Sequence, residues 1–181
     1  MNGLKMCNKR IISDKYLSGG MGDGGGCHPR DNIALSWLSR ELNLSHDWFD
    51  NIMKQREKQT DWLADLIEET SLKYTGCLDG YPILILGKSF KPETNLTVGS
   101  PAILLKNILE DRGHEVFNWD PHVDDWDIVL DEEPCCYFIG TKHPEFISFP
   151  YEKGSVIIDP WRYISDIEGC MVIRYGDNIN E

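Results

Sequence analysis

The 181-residue sequence lacks the features that mark a membrane, secreted or nucleic-acid-binding protein. No apolar run approaches the ~20 residues that a membrane-spanning helix needs, and residues 1–17 carry charges throughout, without the apolar stretch of a signal peptide. Basic residues are few and do not cluster: Lys and Arg number 18 against 30 Asp and Glu, a net charge of −12. This acidity argues against binding to nucleic acid or to an anionic membrane. We expect a cytoplasmic protein.

The sequence also has no Cys-x-x-Cys pair, and its histidines do not fall at zinc-ligand spacings, so no structural metal is expected. Six cysteines could form three disulfides, but sufficient apolar residues for a core and the absence of an export signal favour reduced thiols. Acidic residues concentrate in the second half. Seven acids and no Lys or Arg occur between Asp120 and Glu133, which indicates a solvated surface, with a metal site as the alternative.

The first part of the chain has a helical pattern of apolar residues. A short helix presents one apolar face (Ile33, Ala34, Trp37, Leu38, Leu42), and a longer helix follows a turn in which Ser45 is the candidate N-cap (Trp48, Phe49, Ile52, Met53, Trp62, Leu63, Leu66, Ile67). The second pattern turns polar between Lys54 and Asp61, where the helix is exposed or broken. The apolar stripe packs either in the core of the chain or against a second subunit.

After a predicted linker at residues 75–82, strands and helices alternate. Strands are predicted at 83–86, 115–119, 135–139, 156–158 and 171–175, with a helix from Ser100-Pro101 to near Gly113. Strand, helix and strand at this spacing indicate a mostly parallel sheet. The sequence therefore predicts an α/β protein: a loop and helical segment over residues 1–76, then a Rossmann-like domain over residues 77–181.

The most unusual segment is a run in which six of the nine residues from 18 to 26 are glycine. Gly20-x-Gly22-x-x-Gly25 matches the dinucleotide-binding fingerprint. That fingerprint must follow a strand, and residues 10–17 have no strand pattern, so we reject this interpretation.

Cys27 follows the glycine run at the start of a helix that is predicted to begin near Pro29. Backbone amides at a helix N-terminus stabilise a thiolate. Asp31 lies one helical turn further, so the two side chains have the types and spacing of a nucleophile and its acid/base helper. An inert, buried cysteine is the alternative.

Polar residues also follow several predicted strands. Gly87-Lys88-Ser89 imitates the end of a phosphate-binding P-loop, but Pro82 stands where that loop needs its first glycine, so the match fails. Lys88 and Lys91 could still bind a phosphate at the carboxyl end of a strand, or they are solvated surface lysines. His143-Pro144 and Asp159-Pro160-Trp161-Arg162 are two further strand-end clusters.

These segments together resemble a known family. Gly20-x-Gly22-x-Gly24-Gly25-x-Cys27-x-Pro29-Arg30-Asp31 resembles the catalytic loop of the UDP-glucose/GDP-mannose dehydrogenase family, with Arg30 in place of a lysine. Gly87-x-x-Phe90-Lys91-Pro92-x-Thr94 and Ser100-Pro101-Ala102 are similar to a second family motif. Asp120-Pro121-x-Val123, Thr141-x-His143-Pro144-Glu145-Phe146 and Asp159-Pro160-Trp161-Arg162 fit later ones. The order and spacing agree from about residue 16 to the end.

The resemblance implies a two-step, NAD-dependent oxidation of the C6 alcohol of a nucleotide sugar to a carboxylate. Cys27 would be the nucleophile that forms a thiohemiacetal and then a thioester, and Asp31 would assist proton transfer and water activation. The implied substrate-binding residues are Lys91 and the glycines Gly20, Gly22, Gly24, Gly25 and Gly26. The resemblance also implies a homodimer formed through the helical region and a C-terminal domain that binds the nucleotide.

The sequence departs from the family at several points. Family members are much longer and begin with an NAD-binding Rossmann domain, for which this sequence has no counterpart. Val98 stands where relatives have an arginine that contacts the cofactor, and Asn95-Leu96 replaces their Asp-Asp. We therefore expect the C-terminal half of such a dehydrogenase, acting with a separately encoded NAD-binding polypeptide. A truncated, catalytically inactive nucleotide-sugar-binding protein is the alternative.

Overall fold

A computed structural model describes residue 6 and residues 19–75, 81–125 and 133–175. The helices are α1 (Cys27–Glu41), α2 (Trp48–Thr75) and α3 (Pro101–Asp111), with a short 3₁₀ helix at Pro144–Ser148. The strands are β1 (Ile83–Leu86), β2 (Val116–Trp119), β3 (Cys136–Ile139), β4 (Val156–Asp159) and β5 (Met171–Arg174). The predicted boundary at residues 76 and 77, the glycines of the predicted linker, Cys7, Cys77 and part of the acidic run lie outside the described residues.

The five strands form one parallel sheet in the order β2-β1-β3-β4-β5. The chain winds from β1 outward to β2 and then crosses back to place β3 on the other side of β1. This architecture confirms the predicted fold class, a helical segment followed by a Rossmann-like parallel sheet. In such sheets, ligands bind beyond the carboxyl ends of the strands, at the point where the winding reverses.

Both faces of the sheet are covered, which explains why its central strands β1 and β3 are apolar at every position and why β4 is apolar up to Asp159. Ile83 and Ile85 of β1 point to one face and pack with residues of α2 and α3, whereas Leu84 and Leu86 point to the other. That second layer is built by the 3₁₀ helix, through Phe146, and by the loops around it. Among the described residues, no helix combines the length and apolar composition needed to span a membrane.

Helix α3 is built as the sequence predicts. The Ser100 hydroxyl accepts the Ala102 amide at 3.2 Å, and Pro101 is the first helical residue. Gly113 has a φ of +94°, a left-handed conformation that suits a residue just beyond a helix end. The helix connects β1 to β2 and packs against α2.

The two N-terminal helices differ from the prediction at their starts. Helix α1 begins at Cys27 rather than near Pro29, so the cysteine belongs to the first turn. In α2, the Asp47 carboxylate accepts the Asp50 amide at 3.0 Å. Because the helix starts at Trp48, Asp47 and not Ser45 stands in the capping position. The polar stretch at residues 54–61 does not interrupt α2.

The apolar stripe of the helical segment has two destinations. In α2, Leu63 and Ile67 enter the core beside the sheet. In α1 the apolar face is not buried among the described residues, because Ile33 and Trp37 are each 61% exposed, so of the two alternatives the internal core does not apply to this helix. The buried side chains of α1 are instead Ser36 and Ser39.

Candidate active site

The glycine loop, defined here as residues 19–26, packs against the β1–α3 loop, residues 87–100. The Gly25 amide donates to the Gly99 carbonyl at 3.2 Å. A Cβ on Gly25 would lie 3.0 Å from the Phe90 ring, and a Cβ on Gly24 would collide with the Phe90 Cβ. Gly25 also has a φ of +88°, which an L side chain rarely adopts. Glycine is therefore required here so that the two loops can touch.

The other side of the glycine loop meets the segment after β4. A Cβ on Gly20 would overlap the Trp161 ring, whose Nε1 donates to the Ile139 carbonyl at 3.0 Å. The segment is anchored by the buried carboxylate of Asp159, which accepts the backbone amides of residues 161–164. Gly20 and Gly24 thus have a packing role, while a Cβ on Gly26 would meet nothing within 4 Å.

Arg56 of α2 ties the glycine loop to the β1–α3 loop. Its Nη2 donates to the Gly99 carbonyl at 3.2 Å, and its Nε lies 3.3 Å from the Asp23 carboxylate. The Gly99 carbonyl therefore accepts both the Gly25 amide and the guanidinium. Sequence reasoning missed Arg56, because one of three basic residues in the polar middle of a helix gives no signal of a long-range contact.

Cys27 is an exposed, free thiol in the first turn of α1. No side chain caps this helix N-terminus, so its first backbone amides have no side-chain partner, and the helix dipole favours negative charge at this end. The carboxylate of Asp31 is bound by Arg30, whose Nε donates to it at 2.8 Å. Asp31, and to a smaller extent Cys27, raises the pKa of Arg30 above its ordinary value. The role of Asp31 on Cys27 stays a prediction.

The two lysines after β1 have different surroundings. The Lys88 ammonium lies 2.6 Å from the Asp124 carboxylate, and the side chain is 21% exposed, so the structure favours an internal ion pair over a phosphate contact. The Lys91 ammonium is exposed and lies 5.4 Å from the centroid of the Phe90 ring. Since the same ring abuts Gly24 and Gly25, Lys91 and the glycine loop converge on Phe90.

Asp120, directly after β2, anchors this edge of the sheet. Its Oδ2 accepts the amides of Lys88 and Ser89, at 2.6 and 2.9 Å, and its Oδ1 accepts the amide of His122 at 2.8 Å. Burial by itself would raise the pKa of Asp120, but the hydrogen bonds from His143 and from these amides outweigh it and hold the pKa well below its ordinary value. Asp120 is a charged structural anchor, not a solvated surface acid.

We expect the lowered pKa of Asp120 to make stability depend on pH in the acid range. The stabilisation is fully present above the unfolded-state pKa of about 4 and is lost as pH falls towards the folded-state value. Urea unfolding of the unsubstituted chain and of Asp120→Asn, compared from about pH 7 to about pH 3, checks this. The difference in unfolding free energy should shrink below about pH 4; a constant difference would contradict the assignment.

Among the described residues, one group has the composition of a metal site: His122, His143 and Glu145 offer ligand atoms within 4.8 Å of one another. The nitrogens of His143 already have partners, since Nδ1 accepts the Glu93 amide at 3.0 Å and Nε2 lies 3.1 Å from the Asp120 carboxylate. A metal would have to displace one of these bonds. The geometry therefore favours a hydrogen-bonded anchor here.

Known proteins similar to this chain are nucleotide-sugar dehydrogenases. No family model matches the chain. UDP-glucose 6-dehydrogenase TuaD from Bacillus subtilis is 31% identical over 170 residues, which cover 94% of this chain and 32% of the relative. GDP-mannose 6-dehydrogenase from Pseudomonas aeruginosa is 28% identical over 117 residues, covering 65% of this chain and 25% of the relative. The chain thus spans a third or less of the length of these two curated relatives.

Solved structures similar to this chain are also nucleotide-sugar dehydrogenases. A UDP-glucose dehydrogenase from Pyrobaculum islandicum matches with a TM-score of 0.72 at 25% identity, over 91% of this chain and 40% of the other. A UDP-D-ManNAc dehydrogenase from Pyrococcus horikoshii matches with a TM-score of 0.70 at 25% identity, over 94% and 42%. Both matches include the helical segment as well as the sheet, since each covers more than nine-tenths of the chain.

Proposed function

Because the chain belongs to the UDP-glucose/GDP-mannose dehydrogenase family, we propose that it binds a nucleotide sugar and supplies the cysteine that attacks the sugar's C6 during oxidation. The observation that carries this proposal is the convergence at Phe90: the loop that leads to the exposed Cys27 thiol and the exposed Lys91 ammonium meet at one ring. A diphosphate at Lys91 would hold the sugar beside the open backbone at Gly26 and the thiol.

The thiol and the carboxylate of α1 would divide the chemistry between them. The Cys27 thiolate would add to the C6 aldehyde carbon and give a thiohemiacetal, whose oxidation leaves a thioester. Water then attacks the thioester carbonyl, releasing the sugar carboxylate and returning the thiol. Asp31 would accept the proton of that water, and the hydrogen bond from the Arg30 Nε orients its carboxylate. A reducing cytoplasm would preserve the thiol.

The described residues do not fit NAD. β1 is followed by the long β1–α3 loop instead of a tight glycine turn, and Ser100 caps the first turn of α3. In the glycine loop, Gly20 and Gly24 pack against Trp161 and Phe90, so the fingerprint-like glycines face their own chain. We propose that NAD, the hydride acceptor of this reaction class, is bound by a separate polypeptide, and that these residues alone are catalytically silent.

The exposed face of α1 supports a homodimer. Ile33 and Trp37 lie one helical turn apart on this face, and each is 61% exposed. A contiguous exposed apolar patch is a typical protein–protein interface. We propose that a second copy of the chain covers it.

Trp37→Glu should disrupt this dimer. Placing a charge in an apolar interface should raise the dimer dissociation constant about tenfold or more. Sedimentation equilibrium measures the dissociation constant. Leu72→Glu is the matched control, because Leu72 is a half-exposed apolar residue near the C-terminal end of α2 and outside the α1 face. A Trp37→Glu chain that dimerises like the unsubstituted one would contradict the proposed interface.

A non-catalytic nucleotide-sugar-binding protein is the second candidate. The feature that favours it is Val98, 76% exposed on the β1–α3 loop, where the family resemblance implies an arginine that contacts the cofactor. Both candidates require the nucleotide-sugar site, but only the first requires the thiol to react.

The experiment that tests the proposal has two arms. Calorimetry titrates UDP-glucose and GDP-mannose into the chain, and binding of either supports the shared site. The second arm adds the NAD-binding domain of a relative together with NAD and follows NADH formation. NADH formed only when both polypeptides are present supports the enzyme; binding without NADH favours the second candidate, and no binding contradicts both.

A further inference from the structure

The His143 side chain occupies a central position that the proposed chemistry does not use. It is fully buried at the carboxyl end of β3, beside the β1–α3 loop. Nδ1 accepts the Glu93 backbone amide at 3.0 Å. Nε2 lies 3.1 Å from the Asp120 carboxylate and 3.1 Å from the Ser89 hydroxyl. One ring therefore contacts two residues of the β1–α3 loop and the carboxylate that follows β2.

The partners determine the protonation of the ring. A backbone amide can only donate, so Nδ1 carries no proton. The proton is on Nε2 and faces the Asp120 carboxylate, which can only accept. The Ser89 hydroxyl donates its own proton to the Lys91 carbonyl at 2.8 Å, so it can accept from Nε2 as well. The neutral Nε2–H tautomer satisfies every group in the cluster.

The two loop residues that His143 contacts, Ser89 and Glu93, lie two positions before Lys91 and two positions after it. Between them the Lys91 carbonyl accepts the hydroxyls of Ser89 and Thr94, at 2.8 and 3.1 Å. Glu93 has a φ of +55°, a conformation that is uncommon and costly for a residue with a Cβ. The bond to Nδ1 compensates this cost, because it is available only when the Glu93 amide points inward.

We propose that His143 is a positioning residue for Lys91: its imidazole closes the turn from Ser89 to Glu93 and thereby fixes the backbone from which the lysine reaches a nucleoside diphosphate sugar. This inference rests on the proposed role of Lys91 in binding that ligand. It concerns the precision of the site and not the stability of the sheet, since β1 and β3 pair through their own backbones.

Two substitutions test the hydrogen bonds of the two His143 ring nitrogens separately. His143→Asn keeps an acceptor near the Nδ1 position and loses the donor to Asp120, whereas His143→Gln keeps a donor near Nε2 and loses the acceptor for the Glu93 amide. Hydrogen exchange in the ligand-free chain gives the first result. The Glu93 amide should exchange faster in His143→Gln and remain protected in His143→Asn, and equal protection in both would overturn the proposal.

Binding of UDP-glucose or GDP-mannose, by calorimetry, gives the second result. His143→Gln should weaken binding about tenfold, whereas His143→Asn should keep most of the affinity. In a Lys91→Ala background, His143→Gln should cause no further loss, because its effect passes through the lysine. A loss that persists undiminished in that background would overturn the proposal. His114→Gln, which alters a histidine paired with Glu68, serves as the control that leaves affinity unchanged.

Two further outcomes are decisive. If thermal unfolding shows that His143→Gln does not fold, Ser89→Ala replaces it and is measured alone and in combination with Lys91→Ala. Ser89→Ala removes the hydroxyl that bonds both to the His143 Nε2 and to the Lys91 carbonyl. Loss of affinity that disappears with the lysine supports the proposal, and loss that persists overturns it. An unsubstituted chain that binds neither nucleotide sugar would overturn the proposed function, whereas binding with independent His143 and Lys91 effects would overturn this proposal alone.

Discussion

Cys27→Ser should abolish the proposed formation of the sugar carboxylate when the chain is combined with an NAD-binding domain, NAD and a nucleotide sugar. We expect a loss of about 10³-fold or more, because a hydroxyl at this position is a far weaker nucleophile than a thiolate and no thioester can form. Cys27 is exposed in the first turn of α1, so the substitution removes no core contact. Quantifying the carboxylate product by chromatography and NADH by absorbance measures the effect.

Cys170→Ser is the matched control for this experiment. Cys170 is also a free thiol, and its Sγ donates to the Glu152 carbonyl at 3.2 Å, a bond that a serine hydroxyl can replace. It lies just before β5, at the amino end of that strand, whereas the glycine loop packs on segments that follow the carboxyl ends of β1 and β4. The control should retain activity. Carboxylate formation that survives in Cys27→Ser, or is lost equally in both variants, would contradict the assignment of the nucleophile.

Gly24→Ala disrupts the site through packing. Its Cβ would collide with the Cβ of Phe90, which belongs to the backbone-proximal part of the side chain and cannot rotate away. The glycine loop or Phe90 must therefore move, and with them Cys27 or Lys91. We expect a loss of about 1–3 kcal/mol in unfolding free energy, as in overpacked interiors, together with roughly tenfold weaker nucleotide-sugar binding. Urea unfolding and calorimetry measure the two effects.

Gly26→Ala is the control for the stability effect. A Cβ on Gly26 meets nothing within 4 Å, and the backbone φ of −84° suits alanine. Its unfolding free energy should stay within about 0.5 kcal/mol of the unsubstituted value. Equal destabilisation of the two variants would mean that the loop does not pack on Phe90 as described.

Much of the sheet could be predicted from sequence because its determinants are local. The apolar run of β1 is the pattern expected of a strand that is buried on both faces of a sheet. Ser100-Pro101 specifies the start of α3 through local capping and backbone geometry. The resemblance to the dehydrogenase family was confirmed by relatives of known activity. The role of the glycine run in substrate binding stays a prediction, and the groups that Gly24 and Gly20 approach in the folded chain are Phe90 and Trp161.

What sequence reasoning could not predict depends on contacts between distant residues. Periodicity identifies the apolar face of α1 but not its neighbour, and Ile33 and Trp37 remain exposed. Lys88 pairs with Asp124, and Asp120 accepts hydrogen bonds from the backbone amides of Lys88 and Ser89. Both contacts depend on how two loops meet at the sheet edge. The sequence placed His143 only in a polar cluster after a strand, and the folded chain assigns both of its nitrogens to internal partners.

The most direct test of the proposed site is a crystal structure of the chain with a bound nucleotide sugar. We expect the diphosphate within hydrogen-bonding distance of the Lys91 ammonium and the sugar C6 about 3–3.5 Å from the Cys27 sulfur, a separation at which attack can occur. A nucleotide sugar bound elsewhere, or bound at Lys91 with its C6 directed away from Cys27, would contradict it.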